Sequence, residues 1–170
     1  GGVSLTLIHE IHLALELAGL PKEVIGIISP SESLDIDVDV QSDLMIKHRD
    51  GAVSQIHLDY LQRPYHRNGL ISFERGWLSY DFSQMQVIAQ THTDKKPLVI
   101  WSNLDYDNNL MYIKQMEKFI QYVEERRFKH KFDLSPASSS LGSLKVVEAL
   151  FDSEKKKSIV NVIDNQRFSF

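Results

Sequence analysis

The sequence predicts an α+β fold: a largely antiparallel, open β-sheet with helices on one face. Three observations point there. Apolar residues recur at helical spacing in the first twenty residues; about six or seven short strand-like segments with hairpin turns follow; helical spacing returns from Asp107 onward. The 170 residues are read as a single domain over 1–170, long enough to bury about 70% of the surface of the unfolded chain.

The first helix is expected from Leu7, with Leu7, Ile8, Ile11, Ala14, Leu15 and Ala18 as its apolar stripe and Gly19 followed by Pro21 as its stop. His9, His12 and Glu16 then share an arc of about 60° on the opposite side, an arrangement common on solvated helix faces. Val24–Ser29 reads as a strand ending at Pro30. Leu34 to Val40 alternates apolar and acidic residues and predicts a half-buried strand with its aspartates in solvent. The same aspartates lack the glycine turn and closing glutamate of a calcium loop.

Leu44–Lys47 and Ala52–Leu61 flank Asp50-Gly51 and read as a hairpin, with His57 and Asp59 on one face of its second strand. Further strands are expected at Gly69–Phe73, Trp77–Phe82 and Met85–Gln90, and a short edge strand at Leu98–Trp101. A helix from Asp107 to about Arg127 carries Leu110, Ile113, Met116, Phe119, Ile120 and Val123, with Asp107 or Asn108 to cap it. The cluster 135–140 suggests a turn and cap before a last helix carrying Leu141, Leu144, Val147, Leu150 and Phe151; 159–163 adds a strand or tail. Basic residues near 126–131 and 155–157 suit solvated helix C-termini.

Composition narrows the chemistry. A net charge of −4 with no basic cluster beyond helix ends argues against nucleic acid as partner. No apolar run reaches the ~20 residues of a membrane span, and no secretory leader is visible. The absence of cysteine removes disulfides, thiolate metal sites and a cysteine nucleophile. It is compatible with a cytoplasmic location, which is the expectation. His9-Glu10-Ile11-His12 is one residue short of the zinc-protease spacing His-Glu-x-x-His, so no metal site is expected. No Gly-x-Ser-x-Gly elbow, phosphate loop or Gly-x-Gly-x-x-Gly turn occurs, and no cofactor is expected to bind this chain by itself.

Taken in order, several segments carry a resemblance. Gly1-Gly2-Val3 leads through a short apolar run to His9-Glu10-Ile11 and an apolar helix ending in Gly19. "DLMIKHRDGAVSQIHLDYLQRP" (43–64), "ISFERGWLSYDF" (71–82), "NNLMYIKQMEKFIQYV" (108–123) and "SSSLGSLKVVEALFDSEKKKSIVNV" (138–162) follow. Over about residues 1 to 162 this collinear set resembles the C-terminal domain of the Gfo/Idh/MocA family of NAD(P)-dependent oxidoreductases, a dihydrodipicolinate-reductase-like fold.

The resemblance implies a substrate-binding and oligomerisation domain whose N-terminal Rossmann partner, with NAD or NADP, is absent from this chain. The chain starts at Gly-Gly without an initiator Met and is expected to be a C-terminal fragment, inactive alone. Its parent would be a dehydrogenase acting on a hydroxyl of a sugar, nucleotide sugar or polyol, assembled as a homo-oligomer through the open sheet face. His9 matches the family's catalytic histidine, a proton acceptor or donor at the substrate hydroxyl, and it is expected to be an ordinary, partly exposed histidine in this chain. His12 stands where an Asp is usual, and Leu5 where many members carry another Asp. His12, Arg63 and Tyr65 are the candidate substrate contacts: Arg63 as a planar fork for a carboxylate or phosphate, against a surface or interface role, and Tyr65 as a ring to lie against a sugar, against burial at an interface. The departures at Leu5 and His12 motivate the alternative of a noncatalytic binding or assembly module.

Overall fold

The computed structural model describes residues 1–30, 34–126 and 137–162. In chain order the elements are α1 (Val3–Thr6), α2 (Ile8–Ala18), β1 (Pro21–Ser29), β2 (Gln41–His48), β3 (Val53–Asp59), β4 (Asn68–Phe73), β5 (Gly76–Asp81), β6 (Gln86–Thr91), β7 (Leu98–Ser102), α3 (Asn109–Glu125), α4 (Ala137–Lys156) and β8 (Val160–Asn161). The fold is α+β as expected, but its strands divide into two antiparallel four-stranded sheets, ordered β3-β2-β1-β8 and β4-β5-β6-β7. The chain divides correspondingly into two compact units, Gly1–Leu61 with Ser135–Phe170, and Gln62–Leu134.

In the first unit the helices cover one sheet face. Strand alternation places Leu44 and Ile46 of β2 and Val24 of β1 inward, where they meet Ile11 of α2 and Val146, Val147, Ala149 and Leu150 of α4. Burying Ile11, Ile46 or Leu150 contributes about 1.5–3 kcal/mol each against leaving it in water. The opposite face leaves Ile25, Ile27, Met45 and Val53 exposed. Gly26 is where α4 touches the sheet: a Cβ there would lie 2.3 Å from Leu150 Cδ1 and 2.7 Å from the Asp43 carbonyl oxygen. The short β8 pairs only with Glu23 and Val24. Beyond it the helix takes over the strand's hydrogen bonding, since Gly26 N donates to Ser153 Oγ at 3.2 Å and Ile28 N to Glu154 Oε2 at 3.3 Å.

The second unit is a meander, β4 to β7, followed by α3. None of its described residues is buried. Asp107 Oδ1, just before the N-cap Asn108, accepts a hydrogen bond from Asn109 N at 2.8 Å at the start of α3. The apolar stripe of α3, including Ile113, Ile120 and Val123, is exposed. No described helix is long and apolar enough to cross a membrane.

A further expectation is corrected. Leu34–Val40 is not a strand; it runs as bends and coil before β2, because Asp39 turns back to the N-terminus of α1, as described below, while Val40 is buried. The helix expected from Leu7 is α2, within one residue, and a separate short helix, α1, precedes it. The inward face of α4 is Ser143, Val146, Val147 and Leu150, whereas Leu141, Leu144 and Phe151 are exposed; the buried serines let α4 lie close to its neighbours while their hydroxyls find partners. The helix also starts at Ala137, within the expected cap cluster. The basic run beyond Arg126 and residues 135 and 136 of the cap cluster lie outside the described residues.

Gly26→Ala is expected to destabilise the first unit by about 1–3 kcal/mol through overpacking against Leu150 and the β2 backbone. A fall in the urea midpoint with an unchanged slope checks it.

Candidate functional site

The helix bearing His9, α2, is held at its middle and end, and the short α1 before it is held at its start. At the start, Asp39 acts as the cap that α1 lacks in its own sequence. Val3 N donates to the Asp39 carbonyl oxygen at 2.8 Å, and Ser4 N and Ser4 Oγ donate to Asp39 Oδ2, each at 2.8 Å. A carboxylate on the first turn's N–H groups is where the helix dipole favours negative charge. Ser4 Oγ is also hydrogen-bonded to Ser42 Oγ of β2, and both serines are fully buried. Gly2 is obligatory here, because a Cβ would lie 1.7 Å from Asp39 Oδ1. The glycine pair noted in the sequence thus serves a carboxylate about 35 residues away in the chain.

In the middle, His12 faces α4: its Nδ1 lies 3.2 Å from Ser143 Oγ and its Nε2 3.7 Å from Glu16 Oε1. At the end, Gly19 adopts φ +82° as the C-cap. Its carbonyl oxygen accepts from His48 Nδ1 at 2.8 Å, and Ser54 Oγ lies 2.8 Å from His48 Nε2. Donation to a carbonyl places the proton on Nδ1, so in neutral His48 the Nε2 accepts from the Ser54 hydroxyl. His48 is buried and its ring joins the end of α2 to the β2–β3 hairpin.

His9, between the first two anchors, is exposed, and its imidazole has no hydrogen bond or ion pair among the described residues. His9 and His12 thus share α2 but differ in setting, one open to solvent and one engaged with α4 and Glu16. Arg63 and Tyr65 share the segment that leads into β4 in the second unit. Both are exposed; Arg63 donates from Nη1 to the Gln62 carbonyl at 2.8 Å and is joined to Pro64 by a cis peptide bond. Leu5 is exposed.

His57 and Asp59 share the outer sheet face, as the strand period predicts. Asp43, directly across in register, completes a cluster in which His57 Nδ1 lies 2.6 Å from Asp43 Oδ1 and Nε2 3.0 Å from Asp59 Oδ2. The hydrogen bond to Asp43 raises the His57 pKa above its ordinary 6.5, outweighing partial burial, and Asp59 adds to the rise. Burial opposes the charge on Asp43, but hydrogen bonds from His57 and Gln41 prevail and hold it below the usual 3.8. Both ring nitrogens being committed, the cluster braces β2 against β3. The described residues contain no group of three or more His, Asp or Glu suited to a metal ion.

Sequence reasoning missed Asp39, Ser143 and His48. Asp39 was concealed by alternation that reads as a solvated strand. Ser143 and His48 look polar in a window and reveal their roles only through partners distant in the chain.

No family model matches the chain, and no curated protein matches it. Among solved structures it is similar in fold to levoglucosan dehydrogenase in complex with NADH, with a TM-score of 0.77 at 18% identity over 92% of this chain and 48% of that one. It is similar to aldose-aldose oxidoreductase from Caulobacter crescentus complexed with glycerol, with a TM-score of 0.73 at 18% identity over 91% of this chain and 45% of that one. An oxidoreductase domain protein from Kribbella flavida gives 0.74 at 14% identity over 92% and 48%. The chain spans less than half the length of these three structures.

Two outcomes are expected. Asp39→Ala strips the acceptor from Ser4, which is buried, and should cost about 1–3 kcal/mol, with faster amide exchange concentrated in residues 3–12. His57, with a raised folded pKa, contributes fully below its unfolded value near 6.5 and loses that contribution as pH rises through the folded value. Asp43, with a depressed folded pKa, contributes above about 3.8 and loses it as pH falls through the lower folded value. Both groups are about half exposed, so screening limits the pair to about 0.2–1 kcal/mol. Denaturation midpoints at pH 6 and pH 9 should differ more for the unmodified chain than for His57→Gln.

Proposed function

We propose that this chain, over residues 1–170, is the substrate-binding and oligomerisation domain of a Gfo/Idh/MocA-type NAD(P)-dependent oxidoreductase. Its parent acts on a hydroxyl of a sugar, nucleotide sugar or polyol by hydride transfer, in the cytoplasm. The fold shared with the solved oxidoreductases and the collinear motifs support the class. The observation that carries the reading is His9: an exposed imidazole without a partner among the described residues, on a helix anchored at its middle and end and preceded by the Asp39-capped α1.

The nicotinamide would supply the hydride acceptor. This chain has no glycine-rich phosphate turn, so residues outside it would hold the dinucleotide. The part assigned to this chain is proton movement and binding. A His9 ring nitrogen takes the proton of the substrate hydroxyl during oxidation and returns it during reduction, work for which an imidazole's two nitrogens are suited. His12, on the same helix, is assigned as a substrate contact. Arg63 is assigned to an anionic group of the substrate and Tyr65 to the ring. The exposed outer face of the first sheet, with Ile25, Ile27 and Met45, is assigned to homo-oligomer contact.

A second reading, a noncatalytic binding or assembly module, draws on His12. Its contacts with Ser143 and Glu16 show that this residue, which stands where the family usually has an acid, has a structural use.

The parent protein, with this chain joined to its dinucleotide domain, should reduce NAD or NADP with a member of a sugar, polyol and nucleotide-sugar panel. His9→Ala should lower kcat about 10²–10⁴-fold while the substrate still binds. Undiminished turnover in that variant removes the catalytic assignment. Oligomers by light scattering without any cofactor-dependent turnover favour the second reading, and a strict monomer counts against the assembly role in both.

A further inference from the structure

We propose that a cleft at one end of the β4–β7 sheet binds a neutral, polyhydroxylated ligand, a monosaccharide or the end of a short saccharide. The proposal uses none of the residues assigned above and does not rest on that reading.

The cleft lies between the β4–β5 turn and the segment that follows β6, a shallow depression of about 300 Å³ that is open to solvent, at the small end of the range of ligand sites. Its shape follows from Gly76. A Cβ there would lie 2.3 Å from the Gln90 carbonyl oxygen and 2.9 Å from Thr91 Cα, so only glycine lets the turn close on β6. The walls are tied together. His92 N and Nδ1 both lie against the Arg75 carbonyl oxygen, at 3.0 and 3.3 Å. Asp94 Oδ2 accepts from Thr91 N at 2.8 Å and Thr91 Oγ1 at 2.7 Å, and Gln90 Nε2 donates to the Asp94 carbonyl at 3.2 Å. A recess braced by internal hydrogen bonds requires little ordering when a ligand enters.

The lining selects the ligand. Trp77, half-buried and paired in register with Gln90, offers an indole surface for the C–H face of a sugar ring and an N–H donor. The Glu74, Arg75 and Trp77 side chains have no hydrogen-bond or ion-pair partner among the described residues. Asp94 keeps its second carboxylate oxygen unused there, and His92 its Nε2. Acceptors on Glu74 and Asp94 and donors on Arg75 and Trp77 therefore line the same depression. Hydroxyl groups, which donate and accept, satisfy both sets. The two carboxylates outnumber the one guanidinium and oppose a phosphate or carboxylate, while Arg75 opposes an ammonium group. Hydrogen bonds from Thr91, side chain first, keep Asp94 below the ordinary carboxylate pKa and so charged near neutrality.

The test uses this chain and NMR of its two tryptophan indole N–H groups, Trp77 and Trp101, assigned with Trp101→Phe. Methyl α-glucoside is expected to shift the Trp77 signal saturably, with a dissociation constant of about 1–20 mM, and to leave Trp101 unmoved. Glu74→Gln and Arg75→Gln, both at exposed turn positions, should weaken binding about threefold or more, and glucose 6-phosphate should bind about tenfold more weakly than the neutral glucoside. Trp77→Ala should abolish the accompanying shifts of the Thr91 and His92 amides. The proposal is overturned by no saturable shift up to about 100 mM, by affinity unchanged in both turn variants, or by glucose 6-phosphate or glucosamine binding more tightly than the neutral glucoside.

Discussion

Everything proposed for His9 depends on one carboxylate. Asp39 receives three hydrogen bonds from Val3 and Ser4 through its side chain and its carbonyl oxygen, and so closes the N-terminus of a helix too short to be stable by propensity. Around this contact the local sequence becomes explicable. Gly2 removes the only atom that would block the carboxylate, Ser4 doubles the contact, Ser42 brings in β2, and Leu7 is left as the joint between α1 and α2. The histidine two residues past that joint inherits its placement from groups that never touch it.

The polar anchors inside the first unit are costly to bury and are retained with complete partners. Ser4, Ser42, His48, Ser143 and Ser153 are all buried, and each has a hydrogen bond. An apolar replacement would fill the same space, but the angle between α2, α4 and the sheet would then rest on van der Waals contact alone. Directional bonds fix that angle. The second unit has no such interior, since none of its described residues is buried, and its order rests on the ladder of the meander and on turn hydrogen bonds such as that of Asp94 with Thr91.

Where side chains act through strand or helix period, the sequence is legible. Asp50-Gly51 marks the hairpin, and Gly51 indeed takes φ +98°; β3 presents His57 and Asp59 on one face because alternation requires it; the meander and α3 lie within a few residues of their expected bounds. Period fails where a residue serves a partner far along the chain. Asp39 belongs to a pattern as regular as any strand, yet it is used by α1. The apolar residues Leu141, Leu144 and Phe151 suggest one face of α4, while the helix is turned so that Ser143 and Ser153 meet His12 and Gly26. For His9 the spacing supplies only its position on the helix; its role comes from family resemblance, and its solvent exposure from the fold.

The brevity of β8 has a consequence for the molecule's behaviour at high concentration. Among the described residues a two-residue strand leaves most of β1 without a strand partner on that side, and an open margin is a template on which foreign strands can polymerise. Here the amides of Gly26 and Ile28 are already occupied by Ser153 and Glu154 of α4. A helix laid along the rim thus works as a stopper, sealing that side of the sheet against fibrous growth without another strand having to be built.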